Sequence, residues 1–189
     1  MLGVFQPDFG FLTDAMIIDD GKVHVDCHIA PMAEAEIAFV LKDDLIGPGV
    51  TPQDVLEATE YVAPCFEIVD SRIKDWKIKI GDTVADNASC GVFALGDAKV
   101  DPKDLSMSEL EVIVTKNGEE ISRGVGSSVQ GAPENAVAWL ANTLGEYNIP
   151  FKAGEIILSG SLVPLHPAKR GDVMTMSIAG LGDCKVEFV

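Results

Sequence analysis

Glu34 and Glu36 sit two residues apart in Ala33-Glu34-Ala35-Glu36-Ile37-Ala38-Phe39-Val40, a run that is otherwise apolar. In a strand, residues i and i+2 share a face. The spacing therefore predicts two carboxylates side by side on a mostly apolar surface. Glu67 poses the same problem in a second apolar run, Pro64-Cys65-Phe66-Glu67-Ile68-Val69. Burying like charges is costly unless something neutralises them. One hard divalent cation would neutralise all three, and carboxylate oxygens completed by water or substrate oxygens suit Mg²⁺ or Mn²⁺. Pattern alone leaves a second reading open: a solvated strand face, with Glu67 paired to Arg72.

Other groups compete for attention. His24, Asp26 and His28 alternate, so a strand would put them on one face, either as metal ligands or as an exposed polar row. Cys65 reads as a packed thiol, since no histidine lies near it in sequence to make it a nucleophile. Asp70-Ser71-Arg72-Ile73-Lys74-Asp75-Trp76 is dense in charge directly after Glu67. It is either a solvated loop or the place where Arg72 holds an anionic substrate. Asp82-Thr83-Val84-Ala85-Asp86-Asn87-Ala88-Ser89 is a turn or a pocket wall. Trp76 and Trp139 read as packing residues. There is no G-x-S-x-G elbow, phosphate loop or dinucleotide fingerprint.

The elements that must position these groups are mostly strands. Gly21 turns the chain into an alternating run over 22–29, and residues 34–41 form the next strand. Thr51-Pro52-Gln53-Asp54 opens a helix, with Thr51 as cap and Pro52 in the first turn. That helix is expected to carry Val55, Leu56, Ala58 and Val62 and to stop before Pro64. A strand at 65–69 follows, then a loop or active-site wall over 70–90. Asn117-Gly118 between 110–115 and the residues after Glu119 signals a hairpin. Positions 136, 137, 140, 141 and 144 make one apolar face of a helix over 133–144, ended by Gly145. Late strands are expected at 156–162, 173–178 and 184–189. Many strands and two main helices give an α+β class, a mixed sheet roll or barrel, as one domain over 1–189.

A chain of 189 residues can bury a sizeable core, and its net charge of −16 argues against a nucleic-acid partner. No apolar run reaches membrane-spanning length, and no basic segment leads into an apolar one at the start. Four scattered cysteines without C-x-x-C spacing suit reduced thiols in a cytoplasmic protein, a disulfide being the minor alternative.

The words around the carboxylates resemble the fumarylacetoacetate hydrolase superfamily. They are Glu34-Ala35-Glu36, the stretch from Pro64 to Arg72, and the stretch from Asp82 to Ser89. Three further stretches are more similar to its 2-hydroxypenta-2,4-dienoate hydratases than to the sister 4-oxalocrotonate decarboxylases. These begin Gln6-Pro7-Asp8-Phe9-Gly10, Asp75-Trp76-Lys77 and Ile157-Leu158-Ser159-Gly160-Ser161. The resemblance spans essentially the whole chain and implies the fumarylacetoacetate hydrolase C-terminal fold.

It also implies water addition to a dienol of a 2-oxo acid, giving 4-hydroxy-2-oxopentanoate in meta-cleavage breakdown of aromatic compounds. Glu34, Glu36 and Glu67 would hold Mg²⁺ or Mn²⁺, and Asp8 would move protons. Arg72 and Asn87 would give the pocket polarity, while Ser159 and Ser161 would touch the substrate carboxylate. The family carries a helical N-terminal segment with a Gly-Lys-Lys-like stretch that brings a lysine to the active site. Met1-Leu2-Gly3-Val4 opens after it, so no position here takes that lysine's place, and an inactive, metal-binding remnant is one of the rival readings. The others are decarboxylation of 4-oxalocrotonate and hydrolysis of an acylpyruvate. Partners implied are a small dienoate, further copies in a homo-oligomer, and the pathway decarboxylase or aldolase.

Overall fold

The computed structural model describes residues 7–189; Gln6 of the Gln-Pro-Asp-Phe-Gly stretch and the opening Met1-Leu2-Gly3-Val4 lie outside them. The strands are β1 (Lys22–Val23), β2 (Met32–Leu41), β3 (Thr59–Val69), β4 (Cys90–Leu95), β5 (Glu111–Lys116), β6 (Glu119–Val125), β7 (Ile156–Leu158), β8 (His166–Pro167), β9 (Val173–Ile178) and β10 (Gly182–Phe188). The helices are α1 (Pro52–Ala58), α2 (Ile80–Ala85) and α3 (Pro133–Gly145). One sheet runs β1-β10-β9-β5-β6 and the other β4-β3-β2-β7, with β8 also on β2. Among the strands of the described residues, only β1 pairs parallel, to β10, so the α+β mixed-sheet expectation holds.

The core lies between the sheets. From β2 and β3 come Ala33, Ala35, Ile37, Phe39, Phe66 and Ile68; from the other sheet come Val112, Val114, Met174, Met176, Val186 and Phe188. Phe39, Phe66 and Phe188 are fully buried, each contributing roughly 1.5–3 kcal/mol of burial free energy. α3 lays Ala136, Val137, Ala141 and Leu144 inward and packs on α1. Gly145 lets the loop before α1 lie against the end of α3: a Cβ on it would stand 2.2 Å from a backbone atom of Gly47.

Several expectations are corrected. The helix opened by Thr51 ends at Ala58, and Val62 and Pro64 belong to β3. Thr59, Tyr61 and Val62 are β-formers that fit a half-buried pleat better than a helical turn. Pro64 is tolerated because its missing N–H faces the β4 side just past Leu95, where its carbonyl accepts from Gly96 N–H at 2.8 Å. The alternating run stops being a strand after Val23, and a short 3-10 turn (Val25–Cys27) splits His24, Asp26 and His28. Asp26 pairs with Arg170, and His28 Nδ1 lies 3.0 Å from the His24 carbonyl. The late strand from Ile156 stops at Leu158, and the chain turns away through Gly160, whose φ of 92° suits glycine. Within 70–90 the wall contains α2 and two left-handed turns.

Candidate functional site

Pairing of β2 with β3 assembles the carboxylates. Glu34 lies directly opposite Glu67, and Glu36 opposite Cys65, so all four side chains share the face turned away from the core. One ligand atom from each of Glu34, Glu36 and Glu67 lies within 4.8 Å of the others. Like charges directly opposed on a ladder are destabilising. Among the described residues, no lysine, arginine or histidine forms an ion pair with any of them. Glu36 is 1% exposed, and its Oε2 accepts from Gly160 N–H at 2.8 Å. Burial, then the charge of Glu67, pushes the Glu34 carboxyl up to about 8. Burial, then Glu67 and Glu34, holds Glu36 well above the usual carboxylate range, and burial also raises Glu67. Three hard oxygen donors, clustered tightly enough to surround one ion and lacking a protein countercharge, fit a divalent cation.

The cavity above them measures about 890 Å³. Its polar side holds the triad, Asp8, Thr83 and Ser89; its apolar side includes Leu12, Phe93, Trp139, Leu140 and Leu158. Phe9 packs edge-on against Trp139 of α3 at 6.4 Å between ring centroids. Beside the triad, burial and then Glu36 raise the Cys65 thiol, and burial and then Glu67 raise that of Cys90. Both stay protonated, which suits packing rather than nucleophilic attack. All four cysteines are free.

The structure brings Asp8, Glu34, Glu36, Glu67, Ser159 and Ser161 to this cavity. Ser159 and Ser161 spend their hydroxyls locally, donating to the carbonyls of Gly160 at 3.0 Å and Val163 at 2.8 Å. Arg72 is not brought there: its exposed guanidinium turns to Asp86. Asn87 spends its carboxamide on the backbone of Phe11 rather than offering it to the pocket. Thr83, which donates to Asp8 Oδ2 at 3.0 Å, went unread in the sequence, because the partners lie 75 residues apart.

Fold and cavity together define an α+β scaffold organised round a carboxylate triad suited to a hard divalent cation. Residues 6–189 match the fumarylacetoacetate hydrolase C-terminal family. The chain belongs to that family. It is 61% identical over 191 residues to a 2-hydroxyhexa-2,4-dienoate hydratase of Comamonas testosteroni, covering 100% of this chain and 72% of that protein. It is 60% identical to a 2-hydroxypent-2,4-dienoate hydratase of Pseudomonas putida, over 79% of this chain and 68% of the other. The solved 4-oxalocrotonate decarboxylase of Pseudomonas putida G7, complexed with magnesium and adipate, superposes with a TM-score of 0.95 at 38% identity, covering 100% of this chain and 72% of that one.

Proposed function

We propose that this chain is a metal-dependent hydratase, a carbon–oxygen lyase that adds water to 2-hydroxypenta-2,4-dienoate to give 4-hydroxy-2-oxopentanoate. The observation that carries the reading is the meeting of Glu34, Glu36 and Glu67 at one end of a largely apolar cavity. Relatives named as dienoate hydratases at 61% and 60% identity support the substrate class. Mg²⁺ or Mn²⁺ held by the triad would stabilise the negative charge that develops on the substrate's C2 oxygen.

The chain's own residues account for the rest. The C2 hydroxyl gives up its proton as the dienol ketonises, water supplies the hydroxyl at C4 and a second proton, and C3 and C5 each gain one proton. Asp8, half-buried on the polar wall, is the residue assigned to carry protons. Leu158, Phe93 and Leu140 offer the hydrocarbon end of the dienoate an apolar surface and limit water on that side. Ser159 acts through backbone, its Oγ accepting from Ile37 N–H at 3.2 Å and so fixing the strand that bears Glu36. Self-association and a cytoplasmic setting belong to the same proposal, and exposed Ile29, Ile46 and Tyr147 are apolar surface that an assembly would cover. Among the described residues, no helix is long and apolar enough to cross a membrane.

The decarboxylase reading stands second, favoured by the 0.95 superposition but supported at lower identity. Incubation with 2-hydroxypenta-2,4-dienoate and Mg²⁺ or Mn²⁺, followed by loss of dienol absorbance and product identification, tests both. Metal-dependent 4-hydroxy-2-oxopentanoate that disappears in Glu36→Gln is the expected result. Inert dienoate together with carbon dioxide release from 4-oxalocrotonate would overturn it.

A further inference from the structure

The segment that carries Asp8 is tied down at two points. Thr83, 3% exposed, donates its hydroxyl hydrogen to Asp8 Oδ2 at 3.0 Å, and its oxygen lies 3.3 Å from the hydroxyl of Ser89. Three residues beyond Asp8, Asn87 grips both backbone groups of Phe11. Its Oδ1 accepts from Phe11 N–H at 2.7 Å, and its Nδ2 donates to the Phe11 carbonyl at 2.9 Å. Between these ties Gly10 rests against the turn so closely that a Cβ there would stand 2.3 Å from the Asn87 carbonyl oxygen.

The turn that supplies the grip is itself strained. Asn87, Ala88 and Ser89 have φ of 55°, 57° and 59°, three consecutive non-glycine residues in the left-handed region. Asparagine tolerates this region, but Ala88 and Ser89 bring a Cβ close to the following carbonyl oxygen there. Such a turn persists only where its surroundings over-determine it. Here Ser89 accepts at its carbonyl from Asp70 N–H at 2.8 Å, and Asn87 holds Phe11. A loop that served only to connect would not need this conformation.

We propose that Thr83 and Asn87 are positioning residues for Asp8: Asn87 fixes the backbone of residues 8–13 against the 87–89 turn, and Thr83 fixes the carboxylate on the cavity wall. The inference rests on the hydratase reading for its kinetic consequence, but the tether is measurable without turnover. Thr83→Val removes the hydroxyl at nearly constant volume. It is expected to lower kcat on the dienoate roughly 10- to 100-fold while KM changes less than threefold, and Thr83→Ser to return kcat to within about threefold of wild type. Mn²⁺ affinity should match wild type in both. Amide hydrogen exchange over 8–13 should quicken by about tenfold or more in Asn87→Ala and in the near-isosteric Asn87→Asp, which loses the Nδ2 donor.

Wild-type kcat in Thr83→Val, or a Thr83→Ser enzyme as slow as Thr83→Val, would overturn the role of Thr83. Wild-type exchange in both Asn87 variants would overturn that of Asn87. If the unaltered chain fails to turn over dienoate, the hydratase reading falls, and exchange decides the tether alone: faster in Thr83→Val than in Thr83→Ser supports it, equal rates overturn it.

Discussion

The two faces of the β2–β3 ladder share one backbone and differ in everything else. Ala35, Ile37, Phe39, Phe66 and Ile68 point into the closed space between the sheets. Glu34, Glu36 and Glu67 alternate with them and line the cavity, while Cys65 on the same face packs against Ala38 and Phe93. On the first face each residue removes apolar surface from water. On the second, burial is spent on raising carboxyls, which only protons or a cation relieve. Strand parity thus separates what holds the fold together from what gives it chemistry, and each face can be altered with little direct effect on the other's contacts.

That contrast is sharpest under truncation of the packed face. Phe66→Ala should cost about 3–5 kcal/mol in denaturant unfolding while the folded fraction keeps wild-type Mn²⁺ affinity. Loss of metal binding from fully folded Phe66→Ala would break the separation. On the other face Glu36→Gln should do the reverse. Metal affinity falls by at least tenfold, yet the metal-free protein at pH 8 unfolds no more easily than wild type, because a buried acid with a raised carboxyl has been replaced by a neutral group.

A pH series tests the same point without mutation. The folded, metal-free chain keeps protons on Glu34 up to about 8, whereas the unfolded chain releases them near the ordinary 4.5. Stability is therefore fullest below pH 4.5 and falls as pH rises through about 8. Metal at 100 times its Kd should add back about 2.7 kcal/mol, read as a rise in Tm that is largest at the alkaline end. Two sites off the ladder calibrate these effects. Thr51 accepts from Asp54 N–H at 3.2 Å in a reciprocal cap of α1, and Thr51→Ala should cost about 1 kcal/mol with unchanged metal affinity. Arg72→Ala removes a 70% exposed partner of Asp86 and should move stability by less than about 1 kcal/mol.

The alternation of Glu34 and Glu36 was legible in the sequence, because a two-residue period maps directly onto a strand face. So was α3, from its apolar spacing between Pro133 and Gly145, and so was the Asn117-Gly118 hairpin. The β2–β3 register that sets Glu67 opposite Glu34 was not legible, since it depends on pairing between distant segments. Pro64 misled for the opposite reason: a local rule against proline was overridden by its place just past the end of β4. Asn87 was picked out as polar, but its bond to Phe11 spans 76 residues, and nothing local foretells left-handed turns without glycine. Arg72 is close in sequence to Glu67, yet β3 ends at Val69 and the chain has left the ladder before Arg72, whose guanidinium turns to Asp86.

The ladder's register has an evolutionary consequence. Insertion of one residue into β2 between Glu34 and Glu36 would turn one carboxylate toward the packed side and bring an apolar neighbour into the cavity. In the ladders that join β2, β3 and β4, the register shifts fall at the Val40/Leu41 and Ile68/Val69 steps, outside the stretch where Glu34 meets Glu67 and Glu36 meets Cys65. Length changes in descendants of this gene should therefore collect in the turns and at the strand ends, while the stretches from Glu34 to Glu36 and from Cys65 to Glu67 keep their residue count.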